Sequence, residues 1–277
     1  SDTLGAAIEF SGLGGIVVDD PGTDSSIDLG TDFTYIIVYD NDGTGTLTQK
    51  YSNAADQIHA KDNRIEIGVS GVASQYENSY MPSDDIILTN IKSQDVMSQV
   101  YANGTKMEPD TVNTVRNYSD NNHDLYIGSN YGHSGPLTGI IREILVFNKS
   151  ISSEERIVIN AYLAHKWNLK NKVDSDGDGV VDASDAFPTD DTKTIVVPDL
   201  SETVGAVIND DGSDAAVLAG VEGKLAVWLD ADHTSSVVKD GSNNVSKWMD
   251  LSGNGINLES SAISGTILYN SADTSID

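Results

Sequence analysis

The chain has 277 residues, of which 38% are hydrophobic, enough for one large or two smaller domains. Acidic residues outnumber basic ones by 43 to 16, a formal net charge of −27, which excludes recognition of nucleic acid or of an anionic membrane by phosphate neutralisation. With no cysteine there is neither a disulfide framework nor thiol chemistry, and no apolar run reaches the length of a membrane-spanning helix.

Residues 1–150 read as successive short strands. Ala7–Phe10 and Gly15–Val18 come first, bounded by Gly and Asp-Pro-Gly turn signals. Phe33–Tyr39 is the strongest β-branched and aromatic run and predicts a central strand, closed by the turn cluster Asp40-Asn41-Asp42-Gly43. Thr46–Tyr51, Arg64–Val69, Asp85–Asn90, Ser98–Ala102 and Asp124–Gly128 follow with partial alternation. Asn103-Gly104 is a type I′ hairpin signal, and Gly139–Phe147 closes the series. About ten short strands separated by turns predict an antiparallel β-sandwich. One helix follows, predicted from about Ser153 to Leu169. Ser152 and Glu155 form a capping box, Ile151 stands in the staple position, and Ile157, Ala161 and Ala164 recur at helical spacing.

Residues 174–185 read D-x-D-x-D-G-x5-D. Ca²⁺ is a hard cation that takes six to eight oxygens, and a short loop supplies them at fixed places. Those places fall to Asp174, Asp176, Asp178, the Val180 carbonyl, Asp182 and Asp185, with Gly179 where the chain must turn. Asp185 replaces the Glu of an EF-hand, and no pair of strong helices flanks the loop. With Phe187-Pro188 and Asp190, the stretch resembles a thrombospondin type 3 calcium repeat. That resemblance implies Ca²⁺ as the cofactor and a connector that orders around it. The competing reading is a disordered acidic linker.

Two further stretches resemble one family. Gly139–Asn148, Ile151–Arg156 and Tyr162-Leu163-Ala164 with Lys166-Trp167 resemble the end of bacterial laminin G-like, concanavalin A-like domains. Phe10-Ser11-Gly12 and Val100–Gly104 are similar to other landmarks of that family. Leu225–Ala231 and Val245–Gly255 resemble its opening, so the order is circularly offset. The implied fold is all-β: an antiparallel jelly-roll β-sandwich with one C-terminal capping helix, plus a calcium-binding connector loop. The expected divisions are 1–172 for the main sandwich, 173–191 for the calcium loop, 192–222 for a linker and 223–277 for opening strands. Too small to stand alone, the last segment is expected to complete the 1–172 sandwich, in cis or in a neighbouring molecule.

No catalytic constellation is legible. The E-x-D-x-x-E strand of related jelly-roll glycosidases is absent, as are H-E-x-x-H and G-x-S-x-G, and Glu66 and Glu143 stand singly on strands. The chain is therefore expected to be a non-catalytic module. Asp40, Asp42, Asn130, Tyr131 and His133 lie in loops and combine short acceptors with an aromatic face, as a sugar requires. Ordinary turn chemistry is the competing reading of each. The sequence thus predicts a calcium-stabilised adhesion module of a large secreted or cell-surface bacterial protein. Its expected partners are a glycan or surface protein and neighbouring repeats of the same protein, with no nucleic acid and no direct membrane insertion. A structural spacer in a tandem array and a polysaccharide-active hydrolase unit are the alternatives.

Overall fold

The computed structural model describes residues 5–18, 29–40, 42–50, 57–61, 64–67, 74–77, 85–94, 96–109, 124–130, 135–193, 225–233, 235–260 and 267–270. Numbered in chain order, its strands form two antiparallel sheets. The first runs β10 (Thr105–Met107), β9 (Gln99–Ala102), β8 (Asp85–Lys92), β3 (Phe33–Asp40), β12 (Thr138–Phe147), β1 (Ala7–Ser11) and β17 (Ile267–Asn270), with β13 (Leu225–Asp230) also on β12. The second runs β14 (Val237–Lys239), β15 (Val245–Trp248), β16 (Leu258–Ser260), β2 (Ile16–Val18), β11 (Leu125–Ile127), β4 (Gly45–Gln49), β5 (Ile58–Lys61), β6 (Arg64–Ile67) and β7 (Ser74–Glu77). This is the jelly-roll β-sandwich expected. Among the described residues, no helix is long and apolar enough to cross a membrane.

β3 lacks alternation because both its faces are buried. Tyr35, Ile37 and Tyr39 enter the core between the sheets, while Ile36 and Val38 face a second core beneath the helix. That helix, α1 (Ser153–Lys166), starts at the expected capping box: Glu155 N–H donates to Ser152 Oγ at 3.2 Å and Ser152 N–H to Glu155 Oε2 at 2.8 Å. It lays Ile159, Tyr162, Leu163 and Ala164 on the sheet and ends at Lys166, short of the Leu169 that its apolar pattern suggests. Asn168 then turns left-handed at φ 54°. The Asn103-Gly104 turn has both φ angles positive, 50° and 85°, as type I′ requires. Periodicity alone misses β5, β7, β14, β16 and β17, each of three or four residues.

β12 is the spine. One edge pairs with β3; the other is shared end to end, Thr138–Ile141 with β1 and Glu143–Phe147 with β13. Strands from 223–277 also enter both sheets: β17 pairs with β1, and β16 joins β2 to β15. These pairings lie within one chain. Of the linker expected at 192–222, residues 194–222 lie outside the described residues.

A bulge in β12 organises the junction. The register shifts between Ile141 and Glu143, so Ile141 and Ile144 both reach the inter-sheet core while Arg142 and Glu143 turn successively to the helix side. Arg142 grips Asp85 with two bonds, Nε–Oδ1 at 2.8 Å and Nη2–Oδ2 at 3.0 Å. Glu143, wholly buried, accepts from Trp167 Nε1 at 2.6 Å, Trp228 Nε1 at 2.8 Å and Lys166 Nζ at 3.0 Å. Lys166 also donates to Asp230 Oδ2 at 2.7 Å. Burial pushes the Glu143 carboxyl up, to about 7, against the pull of Lys166 and the Trp167 indole. Burial alone would lower Lys166, but Glu143 and Asp230 hold it charged well above its usual range.

Two outcomes follow from this junction. Glu143→Ala leaves two buried indole N–H groups without an acceptor and Lys166 with Asp230 alone, so chemical denaturation should show a loss of about 3 kcal/mol. A chain ending at Glu222 removes Trp228, Asp230 and the partner strand of β2. It should bind a hydrophobic dye and melt without cooperativity; an unchanged melting temperature would show that the sandwich stands without those strands.

Candidate metal centre

After α1 the chain turns back on itself. Val173 N–H donates to Leu169 O at 3.0 Å, Asp182 N–H to Val173 O at 2.8 Å and Ala183 N–H to Lys170 O at 3.0 Å, closing residues 174–182 into a loop. Within it, Asp174, Asp176 and Asp178 each bring a carboxylate oxygen within 4.8 Å of the others. The loop's own amides hold these side chains: Gly177 N–H and Gly179 N–H donate to the two Asp174 oxygens at 2.7 and 2.9 Å. Asp178 N–H donates to Asp176 Oδ1 at 3.2 Å, and Val180 N–H to Asp178 Oδ1 at 2.8 Å. Gly179 has φ +97°, a left-handed value that a side chain would strain, which accounts for glycine at this place.

Asp185 is wholly buried and spends Oδ1 on Phe187 N–H at 2.8 Å. Its Oδ2 has no hydrogen-bond partner, and neither has Asp178 Oδ2. Burial raises the Asp185 pKa, with the Asp178 and Asp174 carboxylates adding to the effect, while the carboxylate cluster itself is made of Asp174, Asp176 and Asp178. Asp176 is likewise pushed up, to about 6, chiefly by burial, with Asp178 and Asp185 adding to it. Among the described residues, no ion pair reaches Asp174, Asp176, Asp178 or Asp185. Buried carboxylate oxygens without donors are costly, and a hard cation is the partner whose chemistry fits them.

Asp182 stands outside the three-carboxylate cluster. Both its oxygens are taken by Ser175, Oδ1 by the N–H at 2.8 Å and Oδ2 by the hydroxyl at 2.7 Å, so it braces the loop beside the triad. Burial pushes it up, to about 7, with the Ser175 bonds pulling the other way. Val180, the carbonyl position, is half-buried beside Asp178.

The ligand candidates fare differently. Thr44 bridges Thr138, and Thr46 N–H donates to Gly135 O at 3.0 Å, so the turn carrying Asp40 and Asp42 adjoins the segment that follows Asn130. Asn130 and the turn after Asp40 therefore approach the same segment at Gly135–Thr138. Asp40 Oδ1, however, accepts from Asp42 N–H at 3.0 Å, as ordinary turn chemistry would have it. Asn130 is half-buried, and Tyr131 and His133 lie outside the described residues.

Sequence reasoning also passes over Arg156, Asn103 and Gly104 as neighbours of the loop. Arg156 Nη1 donates to Ser175 O at 3.2 Å and to Gly104 O at 3.4 Å, and Asp174 N–H donates to Asn103 O at 3.1 Å. The Asn-Gly pair is visible only as a hairpin turn, and nothing local marks its contact with the loop.

No family model matches the chain, and no curated protein matches it significantly. Solved structures do. A candidate carbohydrate binding protein from Bacteroides ovatus aligns at TM-score 0.55 and 15% identity, over 98% of this chain and 61% of that one. This chain thus spans about three fifths of that protein's length, and at such identity the likeness shows the fold alone. Mouse laminin α1 domains LG4-5 align over 54% of this chain and 46% of theirs, at TM-score 0.39 and 14% identity. Domain 4 of an extracellular arabinanase from Geobacillus stearothermophilus, solved with arabinotriose, aligns over 53% of this chain and 72% of its own, at TM-score 0.38 and 15% identity.

Asp178→Asn and Asp185→Asn each remove a charge from an oxygen left without a donor. Either should weaken Ca²⁺ binding at least about tenfold by isothermal titration calorimetry, on the order of the 1–3 kcal/mol that one buried polar partner is worth. Asp182→Asn should cost less affinity, and a comparable loss would place Asp182 among the ligands.

Proposed function

We propose that the chain is a non-catalytic, calcium-stabilised binding module of a secreted or surface-attached bacterial protein. The observation that carries the calcium part is the Asp174–Asp176–Asp178 triad with the orphaned Oδ2 of Asp178 inside it, a second orphaned oxygen standing on the fully buried Asp185. Asp174, Asp176, Asp178 and Asp185 would hold the ion with the Val180 carbonyl, in a loop of the thrombospondin type 3 kind. Bound there, Ca²⁺ supplies positive charge and oxygen coordination and performs no chemistry. Millimolar Ca²⁺ outside cells would fill a site with a Kd on the order of 10⁻⁴–10⁻³ M, which favours an extracellular setting.

The binding part rests on the jelly-roll fold and on the Bacteroides neighbour, which is named as a candidate carbohydrate binding protein. One fold hosts many functions, so a glycan ligand is the reading to test first, with a surface protein second. The segment at Gly135–Thr138, approached by Asn130 and by the turn after Asp40, is the place to look, because loops on a rigid scaffold carry recognition. A spacer role, with neighbouring repeats as partners, is the second reading, favoured by the turn chemistry that occupies Asp40.

Two measurements test this. Chelator-stripped protein should gain melting temperature as Ca²⁺ is added, with a stabilisation of about 2.7 kcal/mol at one hundred times Kd. Unchanged melting and unchanged protease resistance would remove the calcium reading. A glycan array probed in Ca²⁺ should then give selective signals that Asp42→Ala or Asn130→Ala reduces; silence there and in pull-downs would leave the spacer.

A further inference from the structure

The acidic loop is bolted to the sandwich at the end that carries its first carboxylate. Asp174 N–H donates to Asn103 O at 3.1 Å, and Arg156, from the first turns of α1, spans Ser175 O and Gly104 O. Beneath its guanidinium lies the ring of Tyr101, 4.3 Å away, on the strand that leads into the hairpin. The fit at Gly104 is close: with φ +85°, a Cβ there would stand 1.6 Å from the Asp174 carbonyl oxygen. Asn103 carries the contact inward, its Oδ1 accepting from Ile87 N–H at 2.8 Å and its N–H donating to Ile87 O at 2.9 Å. Ile87 belongs to β8, the neighbour of β3 in the first sheet. One chain of bonds therefore runs from the carboxylate triad through Asp174 and Asn103 to Ile87 in the first sheet.

We propose that Arg156, with the Asn103-Gly104 turn, is a positioning element of the metal centre, and that Ca²⁺ binding at the loop tightens the β9–β10 hairpin and β8. This rests on the calcium reading above and assigns its structural consequence: the ion acts inward on the fold. The Arg156 guanidinium clamps the carbonyls of Ser175 and Gly104, fixing the backbone from which Asp174 and Asp176 project. Arg suits this task because Nη1 meets both carbonyls while the guanidinium stays over the Tyr101 ring, a combination that a Lys ammonium on a flexible stem reproduces less well. Linkage makes the effect reciprocal: whatever factor the docked hairpin adds to Ca²⁺ affinity, Ca²⁺ returns to the docking of the hairpin.

Amide hydrogen exchange on the intact chain, with Ca²⁺ and with chelator, tests this directly. Exchange at Tyr101–Met107 and Ile87 should slow by a factor within the usual coupling range of about 5–150 on adding Ca²⁺. Arg156→Met should lose that protection and bind Ca²⁺ at least about fivefold more weakly, and Arg156→Lys should recover part of each. Trp167→Phe, which loses a bond to Glu143 far along the helix, should lower the melting temperature and keep the wild-type Ca²⁺ affinity. If the wild-type protein binds Ca²⁺ while hairpin exchange stays unchanged, the inference is overturned and the calcium reading survives. Wild-type affinity in folded Arg156→Met would overturn it equally. Failure of the wild-type protein to bind Ca²⁺ in calorimetry overturns both readings. Should Arg156→Met not fold, the wild-type exchange comparison decides alone.

Discussion

Glu143 is fully buried, and a buried carboxylate is tolerable when donors meet both its oxygens. Its donors come from distant places in the chain. Trp167 and Lys166 stand at the end of α1, and Trp228, 85 residues after Glu143, arrives on β13. Satisfying Glu143 therefore requires the helix to lie on the first sheet and β13 to lie along β12. The bulge that turns Arg142 and Glu143 to the same side makes this possible, and Arg142 uses the turn to pair with Asp85 on β8. A polar junction of this kind specifies one arrangement, since any other leaves a charge stranded; apolar packing alone would be more tolerant of slippage. That is why residues 225–270 behave as part of the sandwich although they follow the helix in sequence.

Much of this is legible in the sequence, and the limits have a physical cause. The Ser152–Glu155 capping box, the Asn103-Gly104 turn and the continuous apolar run at Phe33–Tyr39 all appear where local signals put them. Each is decided within a few residues, by capping geometry, positive φ or burial on both faces. The helix end differs because Leu169 continues the apolar pattern; it is buried under the same core after the backbone has left the helix. Glu143 reads as a lone carboxylate, because its partners are set by tertiary pairing and no spacing rule connects positions so far apart. The bulge is equally silent, for the alternation along β12 fails by a single residue.

The candidate site divides in the same way. The spacing of Asp174, Asp176 and Asp178 encodes a local wrapping of the chain, and they do converge. The same spacing names Asp182, whose oxygens accept from the N–H and hydroxyl of Ser175, the residue after Asp174, outside the three-carboxylate cluster. Spacing rules assume that each carboxylate turns toward the centre. They carry no information about a hydroxyl that lies closer. Arg156 sits most of a helix ahead of the loop and reads from sequence as one more charge on that helix.

The charge distribution explains why so acidic a loop can dock at all. Two bases near it hold other partners: Arg156 the carbonyls of Ser175 and Gly104, Lys193 the carboxylate of Asp190. Burial works against the charged form of Arg156, while Tyr101, Asp174 and Asp176 favour it, so the guanidinium and the loop carboxylates feel each other's field. Had it paired directly with those carboxylates, it would have occupied the oxygens that a divalent ion requires. By holding carbonyls, this cation steadies the loop and leaves the carboxylates unneutralised. A loop built this way keeps its shape through backbone contacts and its carboxylates unneutralised, two properties that a direct salt bridge would have set against each other.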